Sequence, residues 1–336
     1  MAVVPQLCGF VPSESLVVVS LRGAAQQVGL TMRVDLPPEA AQRALAEQIA
    51  DRVGADHGCA ALVTVWTADA PSGAAGLPGE RLVAAVARAL RRHRVPTLVR
   101  LLVGSDRWWS YDCTGPCCPP EGTPLPAGAT PAVDAVSAAH ALAGRAVLPS
   151  RADLVSSLAP GGAAASQRLE AAASARSRRV QVEGRVAVGR EALRAWRRAV
   201  DRSPGPGSQL GPEGAASLTV SLGDLLVRDE VLTWALDDDD ALLSLLLQLA
   251  AASVPPYDVP VCALVAWTAH ARGDGALANV ALDRALAADP EHGLALLCRS
   301  ALDAQVQPAQ VRALLADARA VLRRQHPWTG VGTVPG

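Results

Sequence analysis

The chain changes once along its length from alternating strand and helix patterns to purely helical patterns, and this change constrains the fold most strongly. Apolar or alternating segments predict β-strands at residues 15–22, 30–36, 59–67, 97–103 and 107–111. Helical patterns separate several of these strands, at residues 39–53 and 78–94. This order predicts an α/β layer, with a mixed sheet, hairpins and at least one βαβ crossover, followed by an all-α domain.

A proline- and glycine-rich segment after the last predicted strand separates the two domains. A chain of 336 residues exceeds the usual size of a single core. We expect an α/β domain at residues 1–148, which includes a cysteine-rich loop at 112–131. We expect a helical domain at 149–302 with a flexible loop at 203–214, then a terminal helix and frayed tail at 303–336.

One segment of the helical domain, residues 263–290, looks like a tetratricopeptide hairpin. Alanines occupy its small-residue packing positions, Gly273 and Asp274 predict the turn between its helices, and Pro290 ends the second helix. A single repeat cannot bury both of its faces, so neighbouring helices must complete the stack. The hairpin favours a non-catalytic role in binding a protein partner.

Composition and charge exclude several classes of protein. Half of the residues are apolar, which is too many for a disordered chain. The formal net charge of -1 argues against steering toward nucleic acid or an anionic membrane by overall charge. The longest lipid-like run, residues 241–254, is too short for a membrane span, and residues 1–9 do not resemble a signal peptide. We therefore expect a cytoplasmic protein, in which the seven cysteines need not be paired.

The stretch WWSYDCTGPCCPPEG, residues 108–122, is the strongest candidate for a functional site. Three of the seven cysteines lie within six positions there, behind two tryptophans and a tyrosine. Strand alternation places both Trp109 and Tyr111 on one face, where core packing is favoured over a pocket wall. The candidate site residues are Trp109, Tyr111, Asp112, Cys113, Cys117 and Cys118.

Metal ligation is one interpretation of Cys113, Cys117 and Cys118, with zinc as the candidate ion. The spacing C-x3-C-C differs from the usual C-x-x-C knuckle, and adjacent cysteines project in different directions unless a turn intervenes. A fourth ligand would come from Asp112, from His140, or from a distant cysteine such as Cys8.

Three other interpretations of the cysteines stay open. Cys113 with Cys118 would form a redox pair, or one thiol would act as a nucleophile. The interpretation that the residues favour is a proline-stiffened covering loop, whose thiols pack as small hydrophobic groups under Trp109 and Tyr111. The sequence therefore predicts no cofactor, with zinc as the alternative.

An arginine-rich stretch, residues 176–202, is a candidate for contacts with nucleic acid. Its aromatic content amounts to Trp196 alone, and acidic residues follow it. Charge balance within the chain is therefore the favoured interpretation, and nucleic-acid binding is not expected.

Several stretches together resemble a known family. They are, in order from residue 7 to residue 290, LCGFVPSESLVVVSLRG, TMRVDLP, RWWSYDCTGPCCPPEGTPL, SRADLVSSLAP, LLVRDEVL and AWTAHARGDGALANVALDRALAADP. In these stretches the chain is similar to the actinobacterial domain-of-unknown-function family numbered 4192. The resemblance implies neither an activity nor catalytic residues. It does imply that the cysteine–aromatic loop is part of the family pattern.

These observations rank three functions. The first is a non-catalytic binding or interaction protein with an unidentified partner. The second is an enzyme or small-ligand protein with its site at residues 108–122, and the third is nucleic-acid binding through residues 176–202. No residue pattern identifies a catalytic group or a substrate.

Overall fold

The structure of the chain is a computed structural model, which describes residues 3–69, 71, 76–113, 115–125, 147–202 and 210–330. It divides into two compact units, Met1–Arg151 and Ala152–Gly336. The first contains a mixed six-stranded sheet and the second is helical, which confirms the predicted fold class. Parts of the predicted loops and tail lie outside the described residues, at 126–131, 203–209 and 331–336.

The N-terminal unit follows the predicted order of elements closely. It contains α1 (Val4–Cys8), β1 (Ser15–Arg22), β2 (Gln27–Asp35), α2 (Gln42–Ala55), β3 (Gly58–Trp66), α3 (Glu80–Arg92), β4 (Thr97–Val103), β5 (Arg107–Ser110) and β6 (Thr123–Pro124). A short 3-10 helix, Glu39–Ala41, precedes α2. Sequence periodicity missed α1 and β6, which are five and two residues long and too short for a periodic pattern.

The strands of the sheet are ordered β2-β1-β3-β4-β5-β6. Strands β3 and β4 are parallel, and α3 connects them, as expected for a βαβ crossover. The other neighbouring strands are antiparallel, including the predicted hairpin of β1 and β2. The strand order could not be derived from the sequence, because it depends on contacts between distant segments.

Both faces of the sheet are covered, so β1 is buried on both sides. Leu16 and Val18 pack in a core with α2 and α3. Val17 and Val19 point to the opposite face and pack in a second core with α1. A strand that is buried on both sides has a nearly continuous apolar sequence, which explains the run SLVVVSLR.

The second unit is built from helices that pack on one another. They are α4 (Arg151–Ser157), α5 (Ala163–Glu183), α6 (Arg185–Val200), α7 (Pro212–Ser221), α8 (Leu225–Thr233), α9 (Asp239–Ala251), α10 (Asp258–Ala271), α11 (Gly275–Ala288), α12 (Gly293–Asp303) and α13 (Pro308–Gln325). Two 3-10 helices, Trp234–Leu236 and Pro327–Gly330, accompany them. Among the described helices, none combines the length and the apolarity that a membrane crossing needs.

Two helix boundaries in the second unit depend on glycine and proline. The arginine-rich segment forms two helices, because Gly184 adopts φ 86° and ψ 151° between α5 and α6. This conformation favours glycine and interrupts the helical hydrogen bonds. The predicted loop 203–214 ends earlier than expected, since α7 begins at Pro212, where proline suits the first helical turn.

Helices α10 and α11 form a helical hairpin within the segment that resembles a tetratricopeptide repeat. Asp274 caps α11 by accepting a hydrogen bond from Leu277 N at 3.0 Å, and Gly273 has a positive φ of 79° in the turn. Asp238 caps α9 in the same way, through Ala241 N at 2.9 Å. The specific relation of the hairpin to tetratricopeptide repeats stays a prediction.

Candidate functional site

The cysteine stretch connects β5 to β6 at one edge of the sheet. Hydrogen bonds shape it into a series of tight turns. Ser110 Oγ accepts hydrogen bonds from the backbone N–H groups of Asp112 and Cys113, both at 3.1 Å. Backbone hydrogen bonds of 2.9 Å then close one turn at residues 115–118 and a second at 119–122. The backbone of the loop is therefore tied to itself along most of its described length.

Two aromatic residues fasten this loop to the sheet. Trp109 Nε1 donates a hydrogen bond to Pro120 O at 3.1 Å, and the Tyr111 hydroxyl donates to Pro78 O. Both rings pack against the core formed with α2 and α3, so they share a face as strand alternation predicts. Gly122 has φ +81°, and a Cβ atom there would lie 2.5 Å from Trp109 Cε2. Glycine is thus required where the loop returns to the tryptophan ring.

Charged side chains hold both ends of the loop. Arg100 Nε donates to Asp112 Oδ2 at 3.0 Å, and its Nη2 donates to Oδ1. Arg107 Nη1 donates to the carbonyl oxygen of Gly122 at 2.8 Å. Burial raises the pKa of Tyr111, and nearby Glu80 raises it further, so the phenol stays a hydrogen-bond donor. Asp112 and Tyr111 therefore position the loop.

The three loop cysteines converge on one point. The Sγ atoms of Cys113, Cys117 and Cys118 all lie within 4.8 Å of one another, and the distance from Cys113 to Cys117 is 3.5 Å. Cys117 is exposed, and the other two are partly buried. This accessibility does not fit the favoured interpretation of thiols packed beneath the two rings.

The local environment shifts the pKa values of Cys113 and Cys118 in opposite directions. The backbone N–H of Gly115, together with the thiols of Cys117 and Cys118, lowers the pKa of Cys113 by hydrogen bonding to its sulfur. Desolvation and the neighbouring sulfurs raise the pKa of Cys118 to about 11. Of these two thiols, Cys113 therefore ionises more readily.

The donor set fits a thiophilic metal ion. Sulfur atoms that share one zinc ion at Zn–S distances of about 2.3 Å lie about 3.8 Å apart. In the cluster, the Cys113 and Cys117 sulfurs are 3.5 Å apart, and no two of the three sulfurs are more than 4.8 Å apart. Small side-chain rotations are enough to bring these separations to the value for a shared zinc ion. The expected divergence of adjacent cysteines is overcome because Cys117 and Cys118 are the last two residues of the turn at 115–118.

The described residues do not supply the predicted fourth ligand. Asp112 is bound by Arg100, and Cys8 belongs to the core around α1, where burial raises its thiol pKa to about 11. His140 lies outside the described residues. The predicted redox pair of Cys113 and Cys118 is close enough to form by local movement, but all seven cysteines are free thiols in the structure.

Comparison with known families agrees with the resemblance of the cysteine loop and the flanking strands. Residues 1–309 match a family described as a domain of unknown function, DUF4192. The chain belongs to the DUF4192 family. The match includes every strand of the sheet and the cysteine loop, and it ends at the start of α13. No curated protein and no solved structure matches this DUF4192 protein.

Several residues that shape the loop were missed by sequence reasoning. Arg100 interrupts the apolar strand TLVRLLV, and such a charge in a strand is a signal for a nearby carboxylate. Gly122 follows two prolines and a glutamate, a composition typical of turns. Ser110 gives no comparable signal, because a serine at a strand end has many common roles.

The arginine-rich helices of this DUF4192 chain contain many internal ion pairs. Arg179 binds both Glu183 and Glu191, and Arg185 binds Asp224 at 2.9 Å. These pairs support charge balance within the chain as the role of the stretch. Nucleic-acid binding through residues 176–202 stays a hypothesis that the sequence does not favour.

Native alkylation is expected to distinguish two classes of cysteine in the DUF4192 protein. In metal-free folded protein, iodoacetamide should modify Cys113 fastest, because its lowered pKa increases the thiolate fraction. The accessible thiols are Cys59, Cys113, Cys117 and Cys118, and the buried ones are Cys8, Cys262 and Cys298. Burial also raises the pKa of Cys262 and Cys298 to about 12. Mass spectrometry identifies the modified sites.

Unfolded protein in urea serves as the control for this experiment, since all seven cysteines should then react. Rapid modification of Cys262 or Cys298 in the folded protein would contradict the structure of the helical core.

Proposed function

We propose that this protein binds a thiophilic metal ion, with zinc as the best candidate, through Cys113, Cys117 and Cys118. The observation that carries the proposal is the convergence of three thiol sulfurs within 4.8 Å on a loop built from tight turns. Soft thiolate donors select zinc, monovalent copper or iron–sulfur clusters over hard cations. The reducing cytoplasm that the sequence predicts suits this site, because thiols there stay available as ligands.

Metal binding at this loop requires the loss of thiol protons. The lowered pKa of Cys113 favours its thiolate form, and the charge of a bound divalent ion drives ionisation of Cys117 and Cys118. Affinity is therefore expected to fall as the pH decreases, because protons compete with the ion.

The exposed position of Cys117 gives the site access to solvent and to external ligands. A zinc ion with three protein ligands keeps one tetrahedral position for water, a substrate or another ligand. Metal-dependent binding of a ligand at this loop is the function that the geometry supports best. An enzymatic role would use the same open position.

Elemental analysis of purified protein tests the proposal. The full chain, prepared without chelators and then supplied with zinc and dialysed, should retain about one zinc ion per chain. Cys113→Ser, Cys117→Ser and Cys118→Ser should each lose most of this zinc. Cys59→Ser is the matched control, because Cys59 is exposed but lies outside the cluster. The control should bind as much zinc as the unchanged protein.

Two outcomes would reject this function. One is that the three loop thiols react fully with iodoacetamide in the presence of zinc and that the protein retains no metal. The other is a Cys113–Cys117 or Cys113–Cys118 disulfide as the form isolated under anaerobic conditions, which would favour the redox interpretation. A chelator should lower the melting temperature of the zinc-loaded protein but not that of the Cys113→Ser variant.

Partner binding by the helical unit, the function that the sequence favours, is the second candidate. The observation in its favour is the exposure of Leu296 and Leu297 on α12 and Leu314 on α13, at 42%, 59% and 53%. Leu297→Gln and Leu314→Gln should each reduce recovery of a stoichiometric partner in pull-downs at native expression. Leu225→Gln provides the control, since Leu225 is equally exposed on α8.

A further inference from the structure

Helices α2 and α3 carry a regular set of ion pairs on the side that faces away from the sheet. Glu39, in the short helix before α2, pairs with Arg81 at the start of α3. Farther along the two helices, Glu47 pairs with Arg92. In each pair the carboxylate comes from the first helical segment and the guanidinium from α3. Opposite charges thus join the two helices across their shared groove.

This pattern is broken between the two pairs. Arg43 lies four residues after Glu39 and four before Glu47, so it occupies the same helical face one turn from each. Arg88 lies four residues before Arg92 on α3. A carboxylate at position 43 of α2 would continue the pattern of ion pairs with α3. Arg43 occupies this position instead.

The two arginines line a groove with a volume of about 290 Å³. Its lining consists of Arg43, Ala46, Glu47, Ala85, Arg88 and Arg92. The alanines leave room between the helices, and both Arg43 and Arg88 are exposed. Within the part of the chain that the structure describes, neither guanidinium has an ion-pair or hydrogen-bond partner. Glu47 is already neutralised by Arg92.

We infer that this groove binds a small phosphate dianion, either free phosphate or the terminal phosphate of a small metabolite. Three arginines and one glutamate line the groove, so its lining carries a net positive charge that attracts an anion. Each guanidinium offers a planar pair of N–H donors, which matches two oxygens of a phosphate. The double charge of the phosphate balances both arginines, whereas a monovalent anion balances one. This site is separate from the cysteine loop and does not rest on metal binding.

Titration of the full-length protein with inorganic phosphate and with glycerol phosphate, followed by calorimetry at low salt, tests this inference. The unchanged protein should show saturable binding with a dissociation constant of about 1 mM or lower for at least one of the two probes. Arg43→Gln and Arg88→Gln should each weaken it about tenfold. The matched control is Arg91→Gln, which removes an exposed arginine of α3 outside the groove.

A further variant, Arg43→Glu, should abolish phosphate binding, because it replaces one cation of the groove with a carboxylate that repels the phosphate. Binding of free phosphate and ester alike indicates recognition of the phosphate group itself, and preference for the ester indicates a metabolite. Absence of saturable binding to both probes would overturn the inference. Equal binding by Arg43→Gln, Arg88→Gln and Arg91→Gln would also overturn it.

Discussion

Replacing Arg284 with methionine is expected to lower the free energy of unfolding by about 3–5 kcal/mol. Arg284 in α11 donates to Asp258 Oδ2 at 3.0 Å and to the carbonyl oxygens of Ala250 and Ser253 at 2.9 and 3.0 Å. It also donates to the carbonyl oxygen of Leu158. The substitution leaves the Asp258 carboxylate, which is 1% exposed, without its cation. Three carbonyl groups between helices lose a donor as well.

Urea denaturation at neutral pH measures this effect, and a second variant identifies its cause. Combining Arg284→Met with Asp258→Leu should recover part of the loss, because no buried charge is then unpaired. Arg299→Met is the control, since Arg299 pairs with the half-exposed Asp283 and should contribute less than about 1 kcal/mol. If Arg284→Met lowered the free energy of unfolding only as much as Arg299→Met does, the Arg284 network would not hold these helices together.

Replacing Asp56 with alanine is expected to destabilise the sheet unit by about 2–4 kcal/mol. Asp56 is 3% exposed and accepts hydrogen bonds from Ser20 Oγ, from the Arg22 guanidinium and from Leu30 N. These donors come from β1 and β2, whereas Asp56 follows α2. Its loss leaves the buried Ser20 hydroxyl without its acceptor, whereas the Leu30 N–H keeps a 2.9 Å hydrogen bond to Ser20 Oγ. Arg22 is partly exposed, so solvation by water limits the cost of its lost partner.

Gly29→Ala tests the same network from the other side. A Cβ atom at Gly29 would lie 2.5 Å from Asp56 Oδ2 and 2.6 Å from Ser20 Oγ, so the substitution must displace both groups. We expect a loss of stability similar to that of Asp56→Ala, measured by urea denaturation. Gly275→Ala is the control because its Cβ would meet open space at a helix start. Equal stability of Gly29→Ala and Gly275→Ala would contradict the described network.

The stability that Asp56 provides is expected to depend on pH. Burial alone would raise its pKa, but the hydrogen bonds from Arg22, Ser20 and Leu30 outweigh burial and lower it below the ordinary value. The folded state therefore binds this proton less readily than the unfolded state does. The contribution is fully present above about pH 4 and is lost as the pH falls through the folded pKa. The acid-induced loss of stability should be smaller in Asp56→Asn.

The sequence predicted which residues belong to the candidate site better than it predicted their geometry. It identified the three cysteines, the two aromatic residues and Asp112 as one group, and the structure places them all in or beside one loop. The favoured interpretation of the thiols as buried packing groups does not fit their exposure. The direction of a side chain within a loop depends on the geometry of its turns. Neither hydrophobic periodicity nor secondary-structure propensity predicts that geometry.

Local patterns in the sequence determined most strands and helices of this protein, because apolar period and proline or glycine positions act over a few residues. They predicted β1, β4 and the bounds of α3 closely. Only the tertiary structure decided the strand order, the convergence of the three sulfurs, and the placement of Arg43 and Arg88 along one groove. Each of these depends on which distant segments become neighbours, and that choice is made by the packing of the whole core.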